Sequence, residues 1–432
     1  MKSVDIHDTL TNRTPRRIDR FRIVLEQDET KDPDSHQWIR FVRVTLSVPL
    51  SEKYPDEKKA KQMFDPYDQG LDVSYPVKGM FLADETKLFS KALADVYKHP
   101  KGSGLKNGLT KLSMADLKSI LVPLVEQGRD LFYRLFINIQ PTNYSGVGAT
   151  VVSNAIKSAL SHYQIIYIES DVTLFPWAFL FYDPKYDSSK VSSIQPKNFW
   201  GFKHEIQESL KGTSQHLDVP ANPTMVAAIC SVEDQGWHNG PDHPFTQLEN
   251  RNLLKRTPST VELGKALNNF NEDCFYFFGH ADHSDPPIPS QSFLQLRSQQ
   301  LTVVKLQQDF GTAPSFNKDL VVALFNGCKT APLNYWDERT MIGFLCLNKG
   351  HNRLCCVSTV GQIPAVFAGV FAKHFWTRFL VNRDPIGWAL LKARRKMLAQ
   401  WRNPLGLLYS LFGRVDAQVE DCQETDDNGS DL

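Results

Sequence analysis

Two short apolar runs, residues 275–278 (Phe-Tyr-Phe-Phe) and 320–325 (Leu-Val-Val-Ala-Leu-Phe), constrain this chain more than any other feature. Neither alternates with polar residues, so neither leaves a face for water. Runs of this length, rich in Val and aromatics, suit strands covered on both faces, as in a parallel sheet. Both end abruptly. The first passes into Gly279 and His280, the second into Asn326, Gly327 and Cys328. The carboxyl ends of parallel strands open onto a crevice where ligands bind. A histidine and a cysteine delivered there are the parts of a thiol nucleophile and its base.

The chemistry requires both. A thiol at neutral pH is mostly protonated and gains nucleophilic strength when a base takes its proton. Neighbouring strands bring an imidazole and a sulfur within reach of one another. Backbone N–H groups of Cys328 and Ala281 can then cradle the oxyanion of a tetrahedral intermediate. A cysteine ending a strand is, taken alone, more often a small buried residue; the pairing with His280 carries the inference. The nearby His280, Asp282 and His283 offer a competing metal reading. Their spacing lacks a third clear ligand group, and His283 reads as a loop-surface residue. Cys274, Cys346, Cys355 and Cys356 lie in apolar runs and read as core.

With 432 residues, 41% of them hydrophobic, the chain can bury a large core. Its net charge of +1 gives no global pull toward nucleic acid or membrane. No run approaches the roughly 18 apolar residues of a membrane span, and the polar start lacks the apolar core of a signal peptide. The 7 cysteines are odd in number and show no paired spacing, which fits a reducing, cytoplasmic setting. There is no internal repeat, so no fused solenoid is expected.

Along the chain, residues 21–25 and 40–48 read as strands, the second alternating Val42, Val44, Leu46 and Val48 with polar residues. The segment between them reads as a charged turn. Residues 49–110 read as mostly turn-rich, and their glycine-rich end lacks the GK[ST] of a phosphate loop. Residues 1–110 are therefore expected to be an accessory region for regulation or docking. A helix is expected from Met114, with Leu117, Leu121, Leu124, Leu131 and Leu135 on one face and Pro123 as a potential kink. A strand is expected over residues 136–139, a helix near 151–160 and a strand at 165–168. A link follows over 183–198. Then come a strand at 224–230, a helix at 245–254, and a helix opened by the capping box Ser259 and Glu262. After Cys328, residues 340–347 read as helix and 354–360 as strand. A helix follows from Pro364 to Phe379. Asp384 is the expected N-cap of another, carrying Ile386, Leu390, Ala393 and Met397 inward. Residues 415–432 read as an acidic disordered tail. Alternating strands and helices from Asp130 onward predict an α/β fold with a mostly parallel sheet flanked by helices.

Six segments, in order, resemble the CHAT domains, caspase-like cysteine peptidases of the clan that holds caspases, metacaspases, gingipains and separase. EQGRDLFYRLF resembles the opening helix. TLFPWAFLFYDP resembles the family's hook, with Ala178 where an acidic residue is usual. FYFFGHADH and VVALFNGCKT resemble the strands that end in Gly-His and in the nucleophile. GWALLKARRKML and NPLGLLYSLFGR resemble the closing helix and last strand. The resemblance spans roughly residues 115–414 and implies a caspase-like peptidase domain over 111–414.

The resemblance implies a cysteine endopeptidase with His280 as general base and Cys328 as nucleophile, needing no cofactor or metal. Relatives often have glycine after the histidine; here it is Ala281, which keeps its N–H. Basic-specific relatives have an acidic residue two before the cysteine, where this chain has Asn326, and another after the strand equivalent to 224–230, where it has Glu233 and Asp234. These substrate-binding candidates disagree, and a non-basic or mixed P1 side chain is expected. The family further implies a bacterial defence or signalling setting. The expected partners are a protein substrate, such as a gasdermin-like effector, and an activating protein or ligand sensor, with no membrane or nucleic acid. A catalytically silent scaffold of the same fold is the alternative.

Overall fold

The computed structural model describes residues 20–31, 38–48, 71–78, 82–102, 105, 109–138, 149–162, 165–170, 176–209, 219–229, 238, 240–257, 259–282, 290–296, 299–310, 315–316, 321–328, 330 and 354–420. The chain begins with an antiparallel meander, β1 (Arg20–Lys31), β2 (Trp38–Val48) and β3 (Leu71–Lys78). Val44 and Leu46 are buried while Thr45 between them is only half-buried, the pattern of a strand with one covered face. Strand β1 runs well past the expected residue 25. Its charged second half, read as a turn, pairs with β2 as far as Lys31↔Trp38. Pairing across the ladder outweighs the weak strand preference of Glu, Asp and Lys.

The turn-rich expectation for residues 49–110 is corrected twice, by β3 and by α1 (Leu82–Lys98). Phe89, Ala92 and Val96 form the buried stripe of α1 at helical spacing. It packs on α2 (Met114–Phe136), whose Ser113 cap accepts a 3.0 Å bond from the Asp116 N–H. Pro123 is accommodated inside α2. The strand expected at 136–139 does not begin there, because α2 continues to Phe136 and is capped by Ile137.

There follow α3 (Ala149–His162), β4 (Ile165–Ser170), the buried hook at Trp177, the short α4 (Trp200–Lys203) and β5 (Glu205–Ser209). Next come β6 (Met225–Ile229), α5 (Pro244–Asn250), β7 (Leu254–Arg256), α6 (Thr260–Asn268), β8 (Asn269–Phe270) and β9 (Cys274–Asp282). Ser259 caps α6 as expected, its Oγ accepting from the Glu262 N–H at 3.2 Å. The chain proceeds through β10 (Phe293–Leu296), β11 (Gln299–Thr302), α7 (Val303–Phe310), β12 (Ser315–Phe316) and β13 (Val321–Gly327). It closes with β14 (Leu354–Thr359), α8 (Ala365–Trp376), α9 (Ile386–Trp401) and β15 (Tyr409–Phe412). The helix expected at 340–347 lies outside the described residues. Pro385, not Asp384, is the N-cap of α9; Asp384 instead pairs with Arg378 at 2.5 Å.

One large sheet runs β11-β10-β9-β13-β14-β15-β5-β4-β1-β2-β3, with β6 on the far edge of β9 and β7 beyond it. Its centre consists of two parallel blocks, with β2–β3 and β10–β11 added antiparallel. Strands β7, β6, β9, β13 and β14 run one way. Strands β15, β5, β4 and β1 run the other way, and the blocks meet antiparallel at β14–β15. The fold is α/β with a mostly parallel sheet flanked by helices. The strands of residues 1–110 extend this same sheet, since β1 pairs with β4 through Ile23↔Ile168.

The end of the chain is also more ordered than its charge suggested. Val415, Ala417 and Val419 are buried. The Ile386 and Gly387 N–H groups donate to Ala417 and Val415, and Glu420 N–H donates to Val219. The expected disordered tail therefore does not start at 415; residues 421–432 lie outside the described set.

Candidate active site

The central strands β9 and β13 are parallel neighbours, in register from Val322↔Cys274 to Gly327↔Gly279. His280 and Cys328 each follow the last of these pairs. Side chains two apart share a face, so Tyr276, Phe278 and His280 lie on one face of β9. Leu324 and Asn326, paired with Tyr276 and Phe278, lie on the same face of β13. Cys328 follows at the next position. Both residues therefore stand at the carboxyl edge of one block, each one position beyond a pair of parallel strands ~4.8 Å apart.

Here β9 outlasts its neighbours. It continues to Asp282 by pairing with β10 through Gln295↔His280 and Leu294↔Ala281. His280 is exposed and Ala281 buried, both on the extended strand β9. Cys328 stands in the turn after β13 and is half-exposed. The other cysteines described, Cys274, Cys355 and Cys356, are buried as expected. Burial pushes the Cys274 thiol well up, with Asp273 adding to it, and burial pushes Cys355 up to about 12. Among these four, Cys328 is the one that is not buried.

Gly327 is needed for close approach more than for a turn. A Cβ there would lie 2.7 Å from the Gly279 carbonyl oxygen, a contact no side chain tolerates. The turn itself is pinned from β14. Thr359 Oγ1 donates to the Gly327 carbonyl, and Thr330 Oγ1 donates to the Phe325 carbonyl at 3.1 Å. The Thr359 N–H donates to Thr330 Oγ1 at 2.9 Å, closing the clamp. The thiol of Cys328 donates to the Ile363 carbonyl at 3.6 Å.

Asn326 does not line an open surface, contrary to the substrate-binding expectation. It is buried, and its amide nitrogen donates to Tyr276 Oη at 3.1 Å and to the Ala368 carbonyl at 2.8 Å. Its carbonyl oxygen accepts from Tyr409 Oη at 2.6 Å. The register explains this: Asn326 faces α8, below the edge where His280 and Cys328 stand. Glu233, Asp234 and His283 lie outside the described residues. Among the described residues, no group of three or more His, Cys, Asp or Glu side chains is placed to hold a metal ion.

The network under the site includes a residue that the sequence did not single out. His238 is fully buried, and its Nε2 lies 2.7 Å from Tyr276 Oη. It packs flat on Phe245, with 14° between the rings. Its neighbour His243 accepts from the Phe245 N–H at 3.2 Å, and burial holds its pKa down to about 3. A Trp-His pair in a polar loop carries no periodicity, so only the fold reveals that His238 turns inward.

An imidazole and an accessible thiol that meet at a strand edge can exchange a proton, leaving a thiolate able to attack. No family model and no curated protein matches the chain. Among solved structures, it is similar to two crystal structures of the Saccharomyces cerevisiae separase–securin complex, at 2.6 and 3.0 Å resolution. Each is 11% identical and covers 93% of this chain, with TM-scores of 0.38 and 0.37. This chain spans 30% of the matched chain in each. Likeness at that distance says nothing about activity, partners or regulation.

Proposed function

We propose that this chain is a cysteine endopeptidase of the caspase-like, CHAT-domain type, using His280 and Cys328 as a dyad. One observation carries the reading: each residue directly follows the register pair Gly279↔Gly327, His280 within β9 and Cys328 in the turn after β13. His280 takes the thiol proton. The sulfur attacks the scissile carbonyl carbon, and the carbonyl π pair moves onto oxygen, within reach of the Cys328 and Ala281 N–H groups. The tetrahedral species collapses, the C–N bond breaks, and the leaving amine takes the proton from the imidazolium. Water, deprotonated by His280, then attacks the thioester and releases the acid and the free thiol.

Specificity falls to groups other than Asn326, since its polar atoms are committed to the interior. A non-basic or mixed P1 residue stays part of this reading on the family pattern alone, with Glu233 and Asp234 as remaining candidates for substrate contact. The natural setting in this reading is a cytoplasmic bacterial defence or signalling system, with a protein substrate such as a gasdermin-like effector and an activating partner or ligand. Residues 1–110 would serve that regulation. Among the described residues no helix is long and apolar enough to cross a membrane.

A second reading, a silent scaffold of the same fold, is favoured by one observation: the Cys328 thiol bonds to Ile363. The test is cleavage of candidate protein substrates by the full chain, alongside Cys328→Ala and His280→Ala, with cut sites mapped by mass spectrometry. The dyad predicts cleavage that both substitutions abolish. Cleavage surviving Cys328→Ala would sink it. Absence of both cleavage and labelling by a cysteine-reactive peptide probe would favour the scaffold.

A further inference from the structure

Helix α1 reaches the turn that holds Cys328. Its Tyr97 donates the phenolic hydrogen to the Gln362 carbonyl at 2.6 Å. The next carbonyl along, that of Ile363, accepts the thiol hydrogen of Cys328. One turn earlier on α1, Leu93 lies against the same segment, since a Cβ on Gly361 would sit 3.0 Å from its Cδ2. Residues 361–363 are thus gripped by α1 on one side and bonded by the nucleophile on the other. Burial is the chief cause that raises the pKa of Tyr97 and, from β15, of Tyr409, with Cys328 a smaller contribution to each. His280 stands at the neighbouring position on β9.

A carbonyl oxygen only accepts: it can hold the thiol hydrogen but cannot carry it away. An imidazole nitrogen can take the proton outright. While the hydrogen lies on Ile363, transfer to His280 cannot begin. We propose that Tyr97 is a positioning residue for Cys328: by fixing the Gln362–Ile363 carbonyls it keeps the thiol hydrogen on Ile363 and away from His280, so that α1 is a latch on the nucleophile. The inference rests on the dyad above for where the released proton goes; the latch contact itself does not depend on it. A partner or ligand that draws α1 off residues 361–363 frees the thiol. That gives the region 1–110 a physical route to the site.

The test is the rate at which iodoacetamide alkylates each cysteine of the full chain at neutral pH, read by peptide mass spectrometry. Tyr97→Phe keeps the ring and removes only the hydroxyl. Alkylation of Cys328 is expected to rise about three- to tenfold, the range for losing one hydrogen bond of ordinary net worth. The buried Cys274, Cys355 and Cys356 are expected to stay unlabelled, and the gain is expected to vanish in Tyr97→Phe/His280→Ala. Unchanged or slower labelling of Cys328 would overturn the latch. So would a parallel rise at all four cysteines, which would mean general loosening. A gain that persists without His280 would leave the latch standing and remove the dyad.

Discussion

The Tyr409 hydroxyl donates to Asn326 Oδ1 at 2.6 Å, tying the closing strand β15 to the residue two before Cys328. Tyr409 also stacks on Phe371 of α8, ring centroids 3.7 Å apart. Through Asn326 the chain of bonds passes to Tyr276 on β9 and from there to His238. Four segments distant in sequence therefore meet beneath the strand ends.

Asn326→Ala would leave two buried hydroxyls and the Ala368 carbonyl short of a partner. A loss of roughly 2–4 kcal/mol is expected, since each orphaned buried group costs about 1–3 kcal/mol before relaxation. Urea unfolding of the two proteins measures it. A loss below roughly 0.5 kcal/mol would show that the network is not the anchor described here.

Gly327→Ala sets a methyl group against the Gly279 carbonyl. Relieving that overlap must part β9 from β13 where His280 and Cys328 stand. Overpacking of this kind costs about 1–3 kcal/mol, and proteolysis should fall more than stability alone explains. Comparing cleavage rates at a temperature where both proteins are fully folded separates the two effects. Equal rates there would mean that strand spacing does not set the dyad.

Stability should fall as pH rises above neutrality, because of Glu208. Burial pushes its carboxyl up to about 8, with the Ser410 hydroxyl and the charge of Arg394 offsetting part of this. Between the unfolded value near 4.3 and that folded value, the native chain keeps a proton that the unfolded chain has lost. The contribution is complete below the lower value and gone above the upper one. His243 and His374, held down to about 3 and about 4 mainly by burial, act in the opposite sense below ~6.5. The Glu208 effect is therefore clearest from about pH 6.5 to 8, with a slope of at most ~1.4 kcal/mol per pH unit. Glu208→Gln should flatten it in urea titrations; an unchanged slope would assign the decline elsewhere.

Much of the fold follows from local pattern. The unbroken apolar runs within β6, β9 and β13 cannot face water, the leucine stripe of α2 has one period, and Ser259 with Glu262 marks the start of α6. From these the α/β class and the placement of His280 and Cys328 just beyond neighbouring strands could be read in order. What local pattern could not convey depends on partners far along the chain. The charged half of β1 is a strand because β2 pairs with it, and residues 415–420 are held because α9 donates to them and Val219 both donates and accepts. Asn326 stands where the resemblance implies a substrate contact. Its place below the edge is decided by Tyr276, Tyr409 and Ala368, from three different elements. Tyr97 stands 231 positions before Cys328 by their numbers, 97 and 328. Only packing of α1 against residues 361–363 brings its hydroxyl to the segment that holds the thiol, because hydrogen bonds reach about 3 Å in space whatever the separation along the chain.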